Sequence, residues 1–313
     1  MLKLAVQIDP LDRLNIGSDS SVALMAEGQS RGVEIHTYQP GTLAFESGRL
    51  SARLRRTTLD LAATSPFTVG PPVDRDLADF DVVFIRQDPP FDMAYYSNTY
   101  MLELLPPRVK VLNNPRAIRN TPEKLSALNF PHLMAPTLIS HDPEAIRAFA
   151  LQHGDIVLKP LSLFGGEMIV KSSGHDPALG GHIATLTSHS AEPIVAQKFL
   201  PGVATGDRRV MMLKGKPVGA LGRLPPEGGF IANIHSGGKP VLATLTDREV
   251  QICAEVGPKL IAWDIFFAGL DLIDGHLSEI NVTSPTLMQE LRRVGGPDIA
   301  KLYWDELLAD LVT

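Results

Sequence analysis

Residues 269–286 read GLDLIDGHLSEINVTSPT, and they set Asp271, Glu279 and Asn281 among Leu, Ile and Val on either side of Asp274-Gly275-His276. A carboxylate is seldom buried alone, because desolvating its charge costs several kcal/mol or more. The stretch must therefore be sorted by face. A two-residue turn at Asp274-Gly275 is the commonest hairpin connection; it pairs Ile273 with His276 and sends Asp271 and Glu279 to opposite faces. A three-residue turn, Asp274-Gly275-His276, pairs Ile273 with Leu277 and Asp271 with Glu279. It gathers Asp271, Ile273, Leu277, Glu279 and Asn281 on one face and leaves Leu270, Leu272, Ile280 and Val282 on the other. The side-chain period of two makes the choice all-or-none, and the three-residue turn is the expectation. Two carboxylates and an amide oxygen on one face are hard donors suited to Mg²⁺. The competing reading is a hairpin face bathed in water.

Upstream, strand and helix patterns alternate. LKLAVQID (2–9), VEIHTY (33–38) and FDVVFIRQ (80–87) are apolar runs of strand length. Between the first two, DSSVALMAEGQSRG (19–32) has helical spacing, with Asp19 or Ser20 as N-cap and Gly32 as the stop. Alternation of this kind predicts βαβ units and a largely parallel sheet. Residues 46–75 show no strong period and are expected to be a surface excursion. VKVLNNP (109–115) closes the unit, and NTPEKL (120–125) opens a helix. From about 155 the runs DIVLKPL, EMIVKS, PIVAQKFL, RRVMML and PVGALGRL, broken by Gly and Pro, predict mixed or antiparallel sheet. Long helical patterns return at 247–263 and in the closing DIAKLYWDELLADLVT.

Composition narrows the function classes. A chain of 313 residues with 44% hydrophobic and 20% charged residues can build two or three cored units. A net charge of −6 argues against nucleic-acid binding, which needs a basic face. No run reaches the roughly 18 apolar residues of a membrane span, and MLKLAVQIDP lacks a signal-peptide h-region. The lone Cys253 excludes an internal disulfide and reads as a small core residue within a helical pattern. A soluble cytoplasmic protein is expected.

Chemistry-bearing residues cluster in four further places. VLKPLSLFGGEMIVK (157–171) sets Lys159 before a loop ending in Gly165-Gly166, where backbone N–H groups could approach phosphate; a plain hairpin turn is the alternative, and Phe164 is either a cap or core. PIVAQKFLPGVATGDRRVMML (193–213) ends a strand in a Pro-Gly break suited to a purine edge, then starts another at Asp207, Arg208 and Arg209. Arg223 closes the partner strand at the same end, where a phosphoryl or carboxylate group could be clamped. LPPEGGFIANIHSGGKP (224–240) is a Gly-rich loop of lid length. IRQDPPFD (85–92) stiffens the end of a sheet strand, where α/β proteins bind ligands. No G-x-S-x-G elbow and no metal-binding His spacing occurs.

The order lysine, glycine loop, strand-end hinge, paired arginines, lid and D…E-x-N resembles the ATP-grasp layout. DSSVALMAEGQSRG, RQDPPFD, NNPRAIRNTPEKL, LKPL…GG, GDRRVMMLKGKPV and GLDLIDGHLSEINVTSPT together resemble the bacterial glutathione synthetase family over essentially the whole chain. That resemblance implies an α/β fold, with an N-terminal parallel-sheet domain (1–120) and a two-lobed ATP-grasp module: a central lobe (121–200) and a C-terminal lobe (201–313). It implies a ligase that joins γ-glutamylcysteine to glycine through an acyl phosphate, consuming ATP with Mg²⁺, or Mn²⁺ in its place. Lys124 and Lys159, with Gly165 and Gly166, would contact the nucleotide. Gln197, Lys198, Phe199 and Leu200 would form the adenine hinge, with Asp207 a further candidate near the lid. Asp271, Glu279 and Asn281 would hold the metal, and Arg209 and Arg223 would stabilise the transferred charge. Arg86, Asn233, Ser284, Pro285 and Thr286 would bound the substrate pocket. A homo-oligomer is a further expectation. Two departures stand out: Ser162 and Leu163 replace the family's aspartate and first glycine, and Ile231-Ala232 stand where its lid carries arginine-glycine. A ligase with another peptide substrate, or an ATP-binding module without turnover, are the competing readings.

Overall fold

The computed structural model describes residues 1–163, 165–189 and 192–312. Phe164 lies outside the described residues. Three sheets carry the chain. The first contains β1 (Lys3–Gln7), β2 (Glu34–Tyr38), β3 (Ala44–Glu46), β4 (Arg49–Leu59), β5 (Phe67–Val69), β6 (Val73–Asp76), β7 (Val82–Ile85) and β8 (Lys110–Leu112). Its half β2-β1-β7-β8 is parallel, and β1 is buried from Leu4 onward, as a strand covered on both faces requires. The expected crossover helix is present over Ser20–Ser30, where the Asp19 carboxylate accepts from the N–H groups of Ser21 and Val22.

One expectation is corrected here. Residues 46–75 are no irregular excursion: β3 to β6 extend the sheet antiparallel from β2. In β4, Leu50, Ala52 and Leu54 are buried in strict alternation, and Thr57 and Leu59 resume it after the exposed pair Arg55-Arg56. The period of two slips by one residue at those arginines, which breaks the pattern when read along the chain.

The second sheet, β9 (Thr137–Ser140), β10 (Asp155–Pro160), β11 (Val170–Ser173) and β12 (Ile194–Lys198), is antiparallel in the order β11-β10-β12-β9. Helices Pro143–His153 and Leu179–His189 pack on it. Its core draws only on its own residues, from Ile146 and Ile156 through Leu158 and Ile183 to Ala196.

The third sheet, β13 (Asp207–Leu213), β14 (Lys216–Leu224), β15 (Lys239–Leu242), β16 (Phe267–Ile273) and β17 (His276–Asn281), is also antiparallel, ordered β15-β14-β13-β16-β17. One face is covered by helix Asp247–Ala262, whose start carries a reciprocal Thr246–Glu249 capping box. Cys253 is buried in that layer, and burial pushes its thiol up to about 11, which leaves it a small apolar side chain.

The first and third sheets share one core: Leu4, Val6 and Phe84 pack with Met211, Leu221, Phe267 and Trp304. Trp304, on the closing helix Ile299–Val312, is fully buried, and its indole N–H donates to Leu24 O at 2.7 Å. Gly28 permits this approach, because a Cβ there would lie 2.5 Å from the indole ring. Asn113 completes the fusion. Its amide donates to Phe267 O and Val282 O at 2.7 and 2.6 Å, and its oxygen accepts from Phe266 and Phe267 N–H.

Candidate active site

The β16–β17 hairpin corrects the expected turn. Asp274 and Gly275 have φ of +50° and +69°, so the turn has two residues and pairs Ile273 with His276. Asp271 nevertheless pairs with Glu279, because a bulge intervenes: Leu272 opposes Leu277, and Ser278 is the extra residue. Leu277 therefore turns into the apolar core and not onto the acidic face, while Ser278 looks into the site. The carboxylates share a face because one bulge shifts the register, not because the turn is long.

That face borders a cavity of about 820 Å³ between the second and third sheets, with the first unit forming one wall. Lys124, Lys159, Gly165, Gly166, Gln197, Lys198, Phe199 and Leu200 line it, as do Asp207, Arg209, Arg223, Asn233, Asp271, Glu279, Asn281, Ser284, Pro285 and Thr286. Arg86 does not. It is buried behind the wall, where its guanidinium donates to Ser21 Oγ at 2.9 Å and Pro285 O at 3.1 Å. It holds the Ser284–Thr286 turn against the first sheet instead of bounding the pocket.

On the second-sheet side, the buried ammonium of Lys159 donates to Ser278 Oγ at 3.2 Å and lies 3.7 Å from Glu279 Oε1. Burial lowers its pKa, and Glu279 opposes that fall in part. Lys124 donates to the carbonyls of Leu161 and Leu163 at 3.1 and 2.6 Å, so it holds the glycine loop in place. Gly165 and Gly166 both have positive φ, and a Cβ at Gly166 would come within 2.8 Å of an Ile231 methyl carbon. Only glycine lets the lid segment lie this close to the loop. Ser236 Oγ donates to Gly165 O at 3.1 Å across the same contact. At the strand end, the N–H groups of Lys198 and Phe199 donate to Pro136 O and Asp155 O, and the Gln197 amide donates to Thr137 Oγ1. These donors are engaged within the lobe. The N–H of Leu200 makes no hydrogen bond among the described residues.

On the third-sheet side, cross-strand pairing sets the charges. Arg209 pairs with Asp271, and Asp207 with Arg223. Arg209 grips Asp271 through both Nε and Nη2, the latter at 2.8 Å from Oδ2. Arg223 grips Asp207 through Nε and Nη2 at 2.7 and 2.6 Å and reaches Asp271 Oδ2 at 2.9 Å. All four side chains are buried. Burial pushes the Asp271 carboxyl up, yet the two guanidiniums outweigh it and hold the group well below the usual carboxylate range. For Asp207 burial prevails over Arg223 and the pKa is raised. Gly269 makes room for the clamp, since a Cβ there would stand 2.8 Å from Arg209 Cδ.

Residues not singled out from the sequence also face the cavity: Asp9, Arg13, Asn15, Glu123, Ser278 and Glu290; Asp88, in the stiff IRQDPPFD turn, faces it as that turn's place at the sheet edge suggests. Glu123 accepts from Thr283 Oγ1 at 2.7 Å, and its enclosure raises its pKa. Its place beside Lys124 in NTPEKL was the available signal. Asp9 and Asp88 follow β1 and β7, at the sheet edge where parallel strands present ligand sites.

Two antiparallel lobes closing on a cation-lined cavity, behind a parallel-sheet unit, define the ATP-grasp class. The crystal structure of D-cycloserine synthetase DcsG superposes with a TM-score of 0.69 at 14% identity, covering 99% of each chain. The ATP-grasp ligase PsnB complexed with minimal precursor, Mg and ADP does so at 0.62 and 18% identity, covering 99% of this chain and 98% of that one. The prokaryotic glutathione synthetase N-terminal domain matches residues 2–119, and the ATP-grasp domain of the same enzyme matches residues 123–296. The glutathione synthetase of Rhodopseudomonas palustris is 42% identical over 308 residues and that of Brucella melitensis 41%, each alignment covering at least 98% of both chains. The chain belongs to the prokaryotic glutathione synthetase family.

Proposed function

We propose that the cavity is the active site of an ATP-dependent ligase that joins γ-glutamylcysteine to glycine, forming glutathione and releasing ADP and phosphate. The observation that carries this reading is the buried Arg209–Asp271–Arg223–Asp207 array, with Glu279 beside it on the same face and Lys159 reaching Glu279 from the opposite lobe, all on one cavity. Such an array is preorganised for charge that develops during phosphoryl and acyl transfer.

The purine would meet the strand end at Leu200, whose N–H is the donor not engaged by the lobe. Lys159 would face the phosphates, and Lys124 would shape the glycine loop over them. Arg209 and Arg223 would stabilise charge on the transferred phosphoryl group and on the tetrahedral oxyanion formed when glycine displaces phosphate. Mg²⁺, or Mn²⁺ in its place, fits the donor set. Asp271 keeps an oxygen that accepts only from Arg209 Nε, Glu279 adds a carboxylate, and the Asn281 amide donates to Gly269 O through Nδ2, leaving its oxygen for a hard cation. Bound there, the metal would supply electrostatic neutralisation of the phosphate oxygens.

ADP release in the presence of γ-glutamylcysteine, glycine and ATP tests the reading, and no release above that with either substrate alone would overturn it. A ligase acting on another peptide is favoured by one observation: the lid segment facing the cavity, Phe230 to Ile234, carries no charge. A panel of dipeptides and amino acids scored by product mass separates the two. The units 1–120, 121–200 and 201–313 are proposed to track the three sheets. A homo-oligomer is proposed from family resemblance, with light scattering as its check. The buried, unpaired Cys253 supports a reducing, cytoplasmic setting. No helix among the described residues is long and apolar enough to cross a membrane.

A further inference from the structure

The cavity has a second charged corner that the phosphate chemistry does not use. It is built by Asp9 after β1, Arg13 and Asn15 in the turn that follows, and Asp88 after β7. Asp9 Oδ2 accepts from the Asp88 N–H at 2.7 Å, so both carboxylates sit at one edge of the parallel sheet. The Arg13 side chain is exposed to the cavity, and its guanidinium makes no hydrogen bond or ion pair among the described residues. The other two guanidiniums lining the cavity are engaged: Arg209 is held by Asp271, and Arg223 by Asp207 and Asp271.

A corner with one unpaired guanidinium beside two carboxylates repels a polyphosphate and suits a zwitterion. The carboxylate of an α-amino-acid head would take a bidentate pair with the guanidinium, and its ammonium would donate to the acids. Both substrates of the proposed reaction carry such a head. Glycine, however, must attack as a free amine, and an ammonium gripped by carboxylates has no lone pair to attack with. Resting on the ligase reading above, we infer that this corner binds the α-amino-acid head of the γ-glutamyl residue: Arg13 takes its α-carboxylate, and Asp9 with Asp88 takes its α-ammonium. Arg13 and Asp9 are thereby specificity-determining residues for the dipeptide.

The test is steady-state kinetics of the wild type, Arg13→Met and Asp9→Asn with three donors: γ-glutamylcysteine, 4-aminobutanoyl-cysteine, which lacks the α-carboxylate, and glutaryl-cysteine, which lacks the α-ammonium. Arg13→Met should raise KM for γ-glutamylcysteine roughly ten- to a hundredfold, the range for losing a charged hydrogen-bonded contact. KM for ATP and glycine should stay unchanged. The variant should no longer prefer γ-glutamylcysteine over 4-aminobutanoyl-cysteine, yet keep its preference over glutaryl-cysteine. Asp9→Asn retains an acceptor for the Asp88 N–H and should show the converse discrimination. An unchanged KM for γ-glutamylcysteine in Arg13→Met, or a rise in KM for glycine instead, would overturn the inference while the ligase reading stands. A wild type that makes no ADP with γ-glutamylcysteine and glycine would remove both.

Discussion

The first and third sheets are joined by one apolar core and by buried polar staples, whereas the second sheet stands on a core of its own. Trp304, Asn113 and Arg86 each tie the N-terminal unit to the chain's end. Across the cavity the ties are isolated: Lys159 to Ser278 and Glu279, Lys124 to the carbonyls of Leu161 and Leu163, Ser236 to Gly165, and the apolar contacts of Phe199 with Phe230 and of the glycine loop with Ile231. The difference teaches where adaptability lies. Packed cores are bistable or rigid, while a seam of isolated contacts opens at smaller cost. The charged groups proposed to act on the substrates are divided across that seam, with Lys159 and the glycine loop on the self-contained lobe and the acids and arginines on the fused body.

The largest expected effect tests that division chemically. Glu279→Gln should lower ADP formation on the order of a thousandfold, the scale for losing a charge-stabilising group, with little change in melting temperature. Near-normal turnover would remove Glu279 from the metal site. Next come the two cores. Trp304→Ala should cost about 3–5 kcal/mol and Leu158→Ala about 2–5 kcal/mol. Hydrogen exchange distinguishes them: Trp304→Ala should accelerate exchange through the first and third sheets together, and Leu158→Ala only between 137 and 198. Exchange that rises everywhere in both variants would break the comparison.

Asn113→Ala leaves two carbonyls and two N–H groups of the third sheet without partners, so a cost of about 1–3 kcal/mol in urea unfolding is expected. A smaller, pH-dependent effect concerns Glu123. Its folded pKa is raised above the unfolded value, so the stability it contributes is full below that unfolded value, about 4.3, and is lost as pH rises through the folded pKa. Glu123→Gln keeps an acceptor for Thr283. It should melt slightly higher than wild type at pH 7, with the gap closing toward pH 4; a gap that widens on acidification would reverse the sign of the shift. The smallest effect is local: Asp19→Ala should cost about 1 kcal/mol through the lost helix cap, readable as a lower urea midpoint.

Much of this was legible along the chain. The parallel strands show as apolar runs because both of their faces are buried, and Asp19 shows as a cap because it precedes a helical pattern. All the expected site residues except Arg86 reach one cavity, since the strands, loops and short helix that carry them are turned toward it by the topology. What failed to show has physical causes. β4 hides its alternation behind a one-residue slip at Arg55-Arg56. Asp9 and Arg13 lie in an unremarkable polar turn, and only the docking of the third sheet brings them opposite the hairpin.

The order of strands, the glycine positions and the identity of the charged groups are properties of the sequence itself, because period and residue chemistry act over a few neighbours. The short turn with its compensating bulge at Ser278, the clamping of Asp271 by two arginines, and the retreat of Arg86 behind Pro285 were decided only in three dimensions. Each depends on which atoms from distant segments share one desolvated space, where pairing a charge outweighs any local preference.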